Sequence, residues 1–84
     1  LVLVRVAPEL HGEVVAALVD LAEVSYVSTL LGRADVCVEV TSHDNAGLYT
    51  FLAGNVRSMP GVIDTETLTV VQVHKLRYSS QPML

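Results

Sequence analysis

Eighty-four residues at 9.0 kDa make one domain, and with 51% of them hydrophobic and 17% charged the chain is too apolar for intrinsic disorder. The longest purely apolar run, residues 14–19, falls far short of the roughly 20 residues of a membrane-spanning helix, so no membrane partner is expected. A net charge of −4, scattered basic residues and few aromatics (Tyr26, Tyr49, Phe51 and Tyr78) argue against direct duplex binding and against a base-stacking platform.

Residues 1–7 are rich in Val and Leu and predict a first strand. Pro8 and Glu9 then signal a helix start, because Pro suits the first turn and an acid suits the positive end of the helix dipole. Leu10, Val14, Ala17, Leu18 and Leu21 recur with the spacing of one helical face. Residues 24–31 predict a second strand, Gly32-Arg33 a short turn, and residues 34–41 a third strand that completes a hairpin. In that third strand Ala34, Val36, Val38 and Val40 share one face, and Asp35, Cys37 and Glu39 share the other. Asp44 is the expected N-cap of a helix over 45–58, whose apolar face is Leu48, Phe51, Leu52, Val56 and Met59. Pro60-Gly61 breaks that helix, and residues 62–74 predict a long last strand. Residues 1–76 thus form the domain and residues 77–84 a C-terminal tail. The chain starts at Leu1 inside a predicted strand, and the expectation is a chain whose N-terminal part is missing, or else a standalone module.

The order β-α-β-β-α-β predicts an α+β, ferredoxin-like domain: a four-stranded antiparallel sheet with two helices on one face. Nothing covers the other face. Yet the first strand sends Val2, Val4 and Val6 one way and Leu1 and Leu3 the other, where a half-exposed sheet shows a cleaner alternation. A symmetric copy packed sheet on sheet is the expected cover, and the protein is read as a homo-oligomer.

The chemistry-bearing residues are sparse. His11, His43 and His74 lie far apart with no ligand spacing, so no metal site is expected. Cys37 has no partner for an internal disulfide, which favours a reducing, cytoplasmic setting, and it is read as a packed thiol. No phosphate loop, nucleophile set or carboxylate pair stands out, so neither a cofactor nor an enzyme activity is expected. Two patterns remain. At Leu31-Gly32-Arg33-Ala34-Asp35, Gly32 permits positive φ and frees backbone N–H groups that suit a carboxylate, while Asp35 suits an ammonium group. Thr65, Thr67 and Thr69 alternate on one strand face, where their hydroxyls can hold a polar ligand. Each has a plainer reading as well: an ordinary hairpin turn with a solvated Asp, and a residue type that strands favour.

Taken together, the element order, the Gly32-Arg33-Ala34-Asp35 turn (G-x-x-D), the preceding VSYVSTLL segment at 24–31, Met59-Pro60-Gly61-Val62 and Thr65-Glu66-Thr67 resemble one family. It is the C-terminal regulatory (RAM) domain of the Lrp/AsnC, or feast/famine, transcription factors, over about residues 1–75. The resemblance implies a module that dimerises through its sheets, with dimers that commonly join into octamers. It implies a small effector, usually an amino acid, bound where dimers meet, and contact with DNA only through an N-terminal helix-turn-helix domain that this chain lacks. Carried over by position, the effector-binding residues are Gly32, Arg33 and Asp35 from the turn, Thr65 and Thr67 from the last strand, and Leu31 as a pocket wall. Many relatives have a bulkier or aromatic residue where this chain has Arg33-Ala34, a departure that bears on effector selectivity. Two other readings share the topology: an ACT-like regulatory domain of a metabolic enzyme, and a dimeric α+β-barrel enzyme.

Overall fold

The computed structural model describes residues 1–77. Strand β1 (Val2–Val6) turns Val2, Val4 and Val6 inward, each essentially buried, and leaves Leu3 half-exposed on the reverse face. The fixed φ of Pro8 opens a 3₁₀ turn at Pro8–Leu10, in which the Leu10 N–H donates to the Ala7 carbonyl at 2.9 Å. Helix α1 (His11–Val19) follows and buries Val14 and Leu18, four residues apart on one face. Strands β2 (Val24–Thr29) and β3 (Val36–Val40) form the hairpin. Asp44 caps helix α2 (Asn45–Phe51) as its sequence position predicts: its Oδ1 accepts the Gly47 N–H at 2.6 Å. The helix then widens into a π turn at Leu52–Val56, where the Arg57 N–H reaches back to the Leu52 carbonyl at 2.8 Å. Strand β4 (Val62–Thr67) completes the fold.

The sheet order is β2-β3-β1-β4 with every neighbour antiparallel. Val2, Val4, Val6, Val36 and Val38 from the two central strands face Val14, Leu18, Phe51, Leu52 and Val56 from the helical layer, and these residues are the core. Burying one such side chain contributes roughly 1.5–3 kcal/mol. Gly61 permits the close packing at the entry to β4. Its φ is +96°, and a Cβ there would lie 2.8 Å from the Leu10 Cβ and 3.0 Å from the Val14 Cγ2. Its carbonyl accepts the Ala7 N–H at 2.8 Å, which ties the end of β1 to the start of β4.

Three elements differ from the sequence reading. The hairpin connection is not a two-residue turn but residues 30–35, closed by the Leu30 N–H on the Asp35 carbonyl at 2.8 Å. The second helix is α only as far as Phe51 and π after it. The last strand stops at Thr67 rather than running to residue 74. Among the described residues its ladder partner is β1, whose register ends with Val2 opposite Thr67, and Leu1 and Leu68 exchange two further bonds of 2.7 Å. Beyond that point Val70, Val71, Val73 and Leu76 are all exposed. The predicted tail, residues 77–84, lies outside the described residues except for Arg77.

Candidate functional site

The connection between β2 and β3 is built around one displaced hydrogen bond. The Asp35 N–H donates to the Val4 carbonyl at 3.0 Å, continuing the β3–β1 ladder for one more residue. The chain then turns away through Gly32, whose φ of +131° suits glycine alone. That leaves the Val6 N–H without a backbone acceptor on this side. The Asp35 carboxylate takes its place, Oδ2 accepting the Val6 N–H at 2.9 Å. One carboxylate oxygen is therefore held by the fold, and Oδ1 has no hydrogen-bond partner among the described residues. Leu31, at the tip, is completely exposed, 103% relative to an extended reference.

Arg33 reaches from the turn across β1 to β4, where its Nη2 lies 3.3 Å from Glu66 Oε1. Glu66 pairs with Leu3 in the ladder and so stands on the open face of the sheet, away from the helices. Thr65 pairs with Val4 and faces the helical layer. Its hydroxyl oxygen accepts the Nε–H of Arg57 at 3.2 Å, and the Arg57 guanidinium carbon sits 6.0 Å from the centre of the Tyr49 ring. Arg33, Ala34, Thr65 and Glu66 border one small cavity of about 60 Å³, so the turn and the middle of β4 do meet.

Thr67 belongs elsewhere. It lines an open cleft of about 510 Å³ at the far end of the sheet, with His43, Asp44, Leu48 and Val70. The six residues proposed from sequence thus divide. Gly32, Arg33 and Asp35 gather at the turn, Thr65 borders the same small cavity as Arg33 but turns its hydroxyl to the helical layer, Leu31 projects from the tip, and Thr67 is separate within one chain. Sequence reasoning missed Glu66, Arg57 and Tyr49. Glu66 was detectable, since alternation along β4 puts it on the face opposite Thr65. Arg57 was not, because its position depends on the π turn. Among the described residues no group of three or more His, Cys, Asp or Glu side chains could hold a metal ion, and no helix is long and apolar enough to cross a membrane.

A four-stranded antiparallel sheet carrying two helices on one face, in this order, defines a ferredoxin-like α+β domain. The chain belongs to the Lrp/AsnC ligand binding domain family, whose model matches residues 1–80. Among solved structures it is similar to hypothetical protein PHS023 from Pyrococcus horikoshii, at 26% identity over 87% of this chain and 88% of that one, with a TM-score of 0.76. It is equally similar in sequence to FFRP-DM1, at 26% identity over 83% of this chain and 93% of the other, with a TM-score of 0.79. E. coli AsnC shares the fold, with a TM-score of 0.86 at 20% identity, and this chain covers 92% of its own length but 52% of that protein. None of the curated proteins compared matches this chain.

Proposed function

We propose that this domain is the effector-sensing and assembly module of an Lrp/AsnC-type transcriptional regulator, and that its effector is an amino acid bound where dimers meet. The observation that supports this reading best is the Gly32–Asp35 turn. It offers a free carboxylate oxygen and sits beside an Arg33–Glu66 pair that is 71% and 51% exposed. Leu31 at its tip is wholly uncovered, as a residue waiting for another copy would be. The open face of the sheet supports dimerisation in the same way. It presents Leu3 and Cys37 half-buried and Tyr26 exposed, with no helix to cover them.

In this reading the domain works without catalysis, in the cytoplasm, and touches DNA only through a separate domain of the regulator. Its mechanism is population shift. An effector that binds one assembly better than another favours it by the difference, typically about 1–3 kcal/mol. The experiment is thermal unfolding against each of the twenty amino acids, with sedimentation of the same samples. A ligand at 100 times its Kd adds about 2.7 kcal/mol. On a domain this small that moves Tm by more than roughly 10 °C. A shift with one or a few amino acids, accompanied by a change in mass, supports the sensor. No shift with any of them removes the amino acid from the proposal.

A further inference from the structure

The Arg33–Glu66 contact is the one ion pair among the described residues, and it stands at the turn. The acid nearest to Arg33 along the chain, Asp35, is turned to the Val6 N–H instead. Glu66 comes from the other side of β1, set opposite Leu3 by the ladder. Arg33 and Glu66 both border the small cavity beside the turn, together with Leu3, Arg5 and Ala34. A carboxylate that enters there to meet Arg33 finds a carboxylate already in place. The hold of Glu66 on Arg33 is weak. At 3.3 Å the contact is longer than the about 2.7–2.9 Å of a charge-assisted hydrogen bond, and both side chains are more than half exposed, where water and salt screen the attraction. A ligand carboxylate has the better geometry, because its two oxygens can meet the guanidinium edge as a parallel pair. Glu66 still matters to that ligand, since an arginine that already faces one carboxylate attracts a second less than a bare arginine does.

We propose that Glu66 is a built-in competitor of the effector: its carboxylate occupies Arg33 until the effector's carboxylate displaces it, and it thereby sets how much effector the domain needs. This rests on the sensor reading above, and the test separates the two. Thermal unfolding of the wild type and of E66Q with each of the twenty amino acids names the probe, the one that raises Tm most in either chain. Calorimetric titration then compares that amino acid with its α-carboxamide on the wild type, E66Q, R33Q and the double variant. E66Q is expected to bind the acid about two- to fivefold more tightly than the wild type does, the upper figure being the most that an exposed pair can withhold. The amide, which has no carboxylate to displace Glu66, is expected to gain nothing. R33Q is expected to bind the acid more weakly, and adding E66Q to it to restore nothing, because a competitor for Arg33 acts only through Arg33. An unchanged Tm without ligand confirms that these exposed substitutions leave the fold intact. Equal or weaker binding of the acid by E66Q, or a gain that persists in the R33Q background, overturns the competition and leaves the sensor reading standing. No response of either the wild type or E66Q to any of the twenty overturns the sensor reading and the competition together.

Discussion

The carboxylate of Asp35 accepts the backbone N–H of Val6 at 2.9 Å, where the β3 backbone has turned away from β1. The same side chain is the one the resemblance assigns to the effector. Its two roles separate by substitution. Asp35→Ala leaves the part-buried Val6 N–H without an acceptor, at about 1–3 kcal/mol. That lowers Tm by roughly 4–8 °C for each kcal/mol. Asp35→Asn keeps an acceptor oxygen and removes the charge. Its unfolding midpoint is expected near wild type and its amino-acid response lost. A full response in the Asn variant would show that the carboxylate serves the fold alone.

Gly61 and Gly32 both have positive φ, but only one is crowded. Gly61→Ala meets Leu10 and Val14 as well as an unfavourable backbone, while Gly32→Ala meets nothing within 4 Å. The backbone conformation alone costs about 1–3 kcal/mol. Urea unfolding is therefore expected to show a larger loss for Gly61→Ala than for Gly32→Ala. Equal losses would mean that the helix shifts to accept the methyl group.

The Arg33–Glu66 pair joins the turn to β4 across β1 on the open face, with both side chains more than half exposed. Such a pair contributes no more than about 1 kcal/mol. Arg33→Ala and Glu66→Ala are expected to unfold close to wild type, with a coupling in the double-mutant cycle inside that limit. The effect belongs instead to ligand response, measured as the Tm shift with the effector. A large stability loss in either single variant would refute the reading of this pair as part of a surface site.

The two exposed apolar regions predict different assembly defects. Leu3→Glu puts a charge in the middle of the open sheet face, and in a symmetric dimer each copy would bury it unpaired. Sedimentation is expected to show monomer. Leu31→Asp alters the tip of the turn and is expected to leave dimers that no longer associate further. An unchanged mass in both variants would show that neither surface joins copies of this chain.

The central strands and the first helix were legible because their burial follows local periods. Val2, Val4 and Val6 alternate, Val14 and Leu18 stand one helical turn apart, and Asp44 precedes its helix as a cap does. The end of β4 was not legible. Residues 68–74 keep the composition of a strand, but a strand is defined by the partner it bonds to, and a residue pattern does not show that partner. The same limit divided the site. Period two puts Thr65 and Thr67 on one face, yet about 7 Å along the strand separates them. That distance places one beside Arg57 and the other in the cleft with His43. Arg57 was hidden for a different reason: a 3.6-residue period has no way to register a π turn.

That π turn has a consequence for changes in chain length. A π turn is an α-helix that has taken in one residue and let the backbone bulge around it. Ala53, exposed in the middle of the bulge, can therefore be deleted, and the helix closes to α pitch with Phe51 before it and Val56 after it still in the core. The same deletion in α1 would rotate Leu18 out of register with Val14, because that helix has no slack to give up. Relatives of different length are thus expected to gain or lose a residue between Leu52 and Val56 rather than in the first helix.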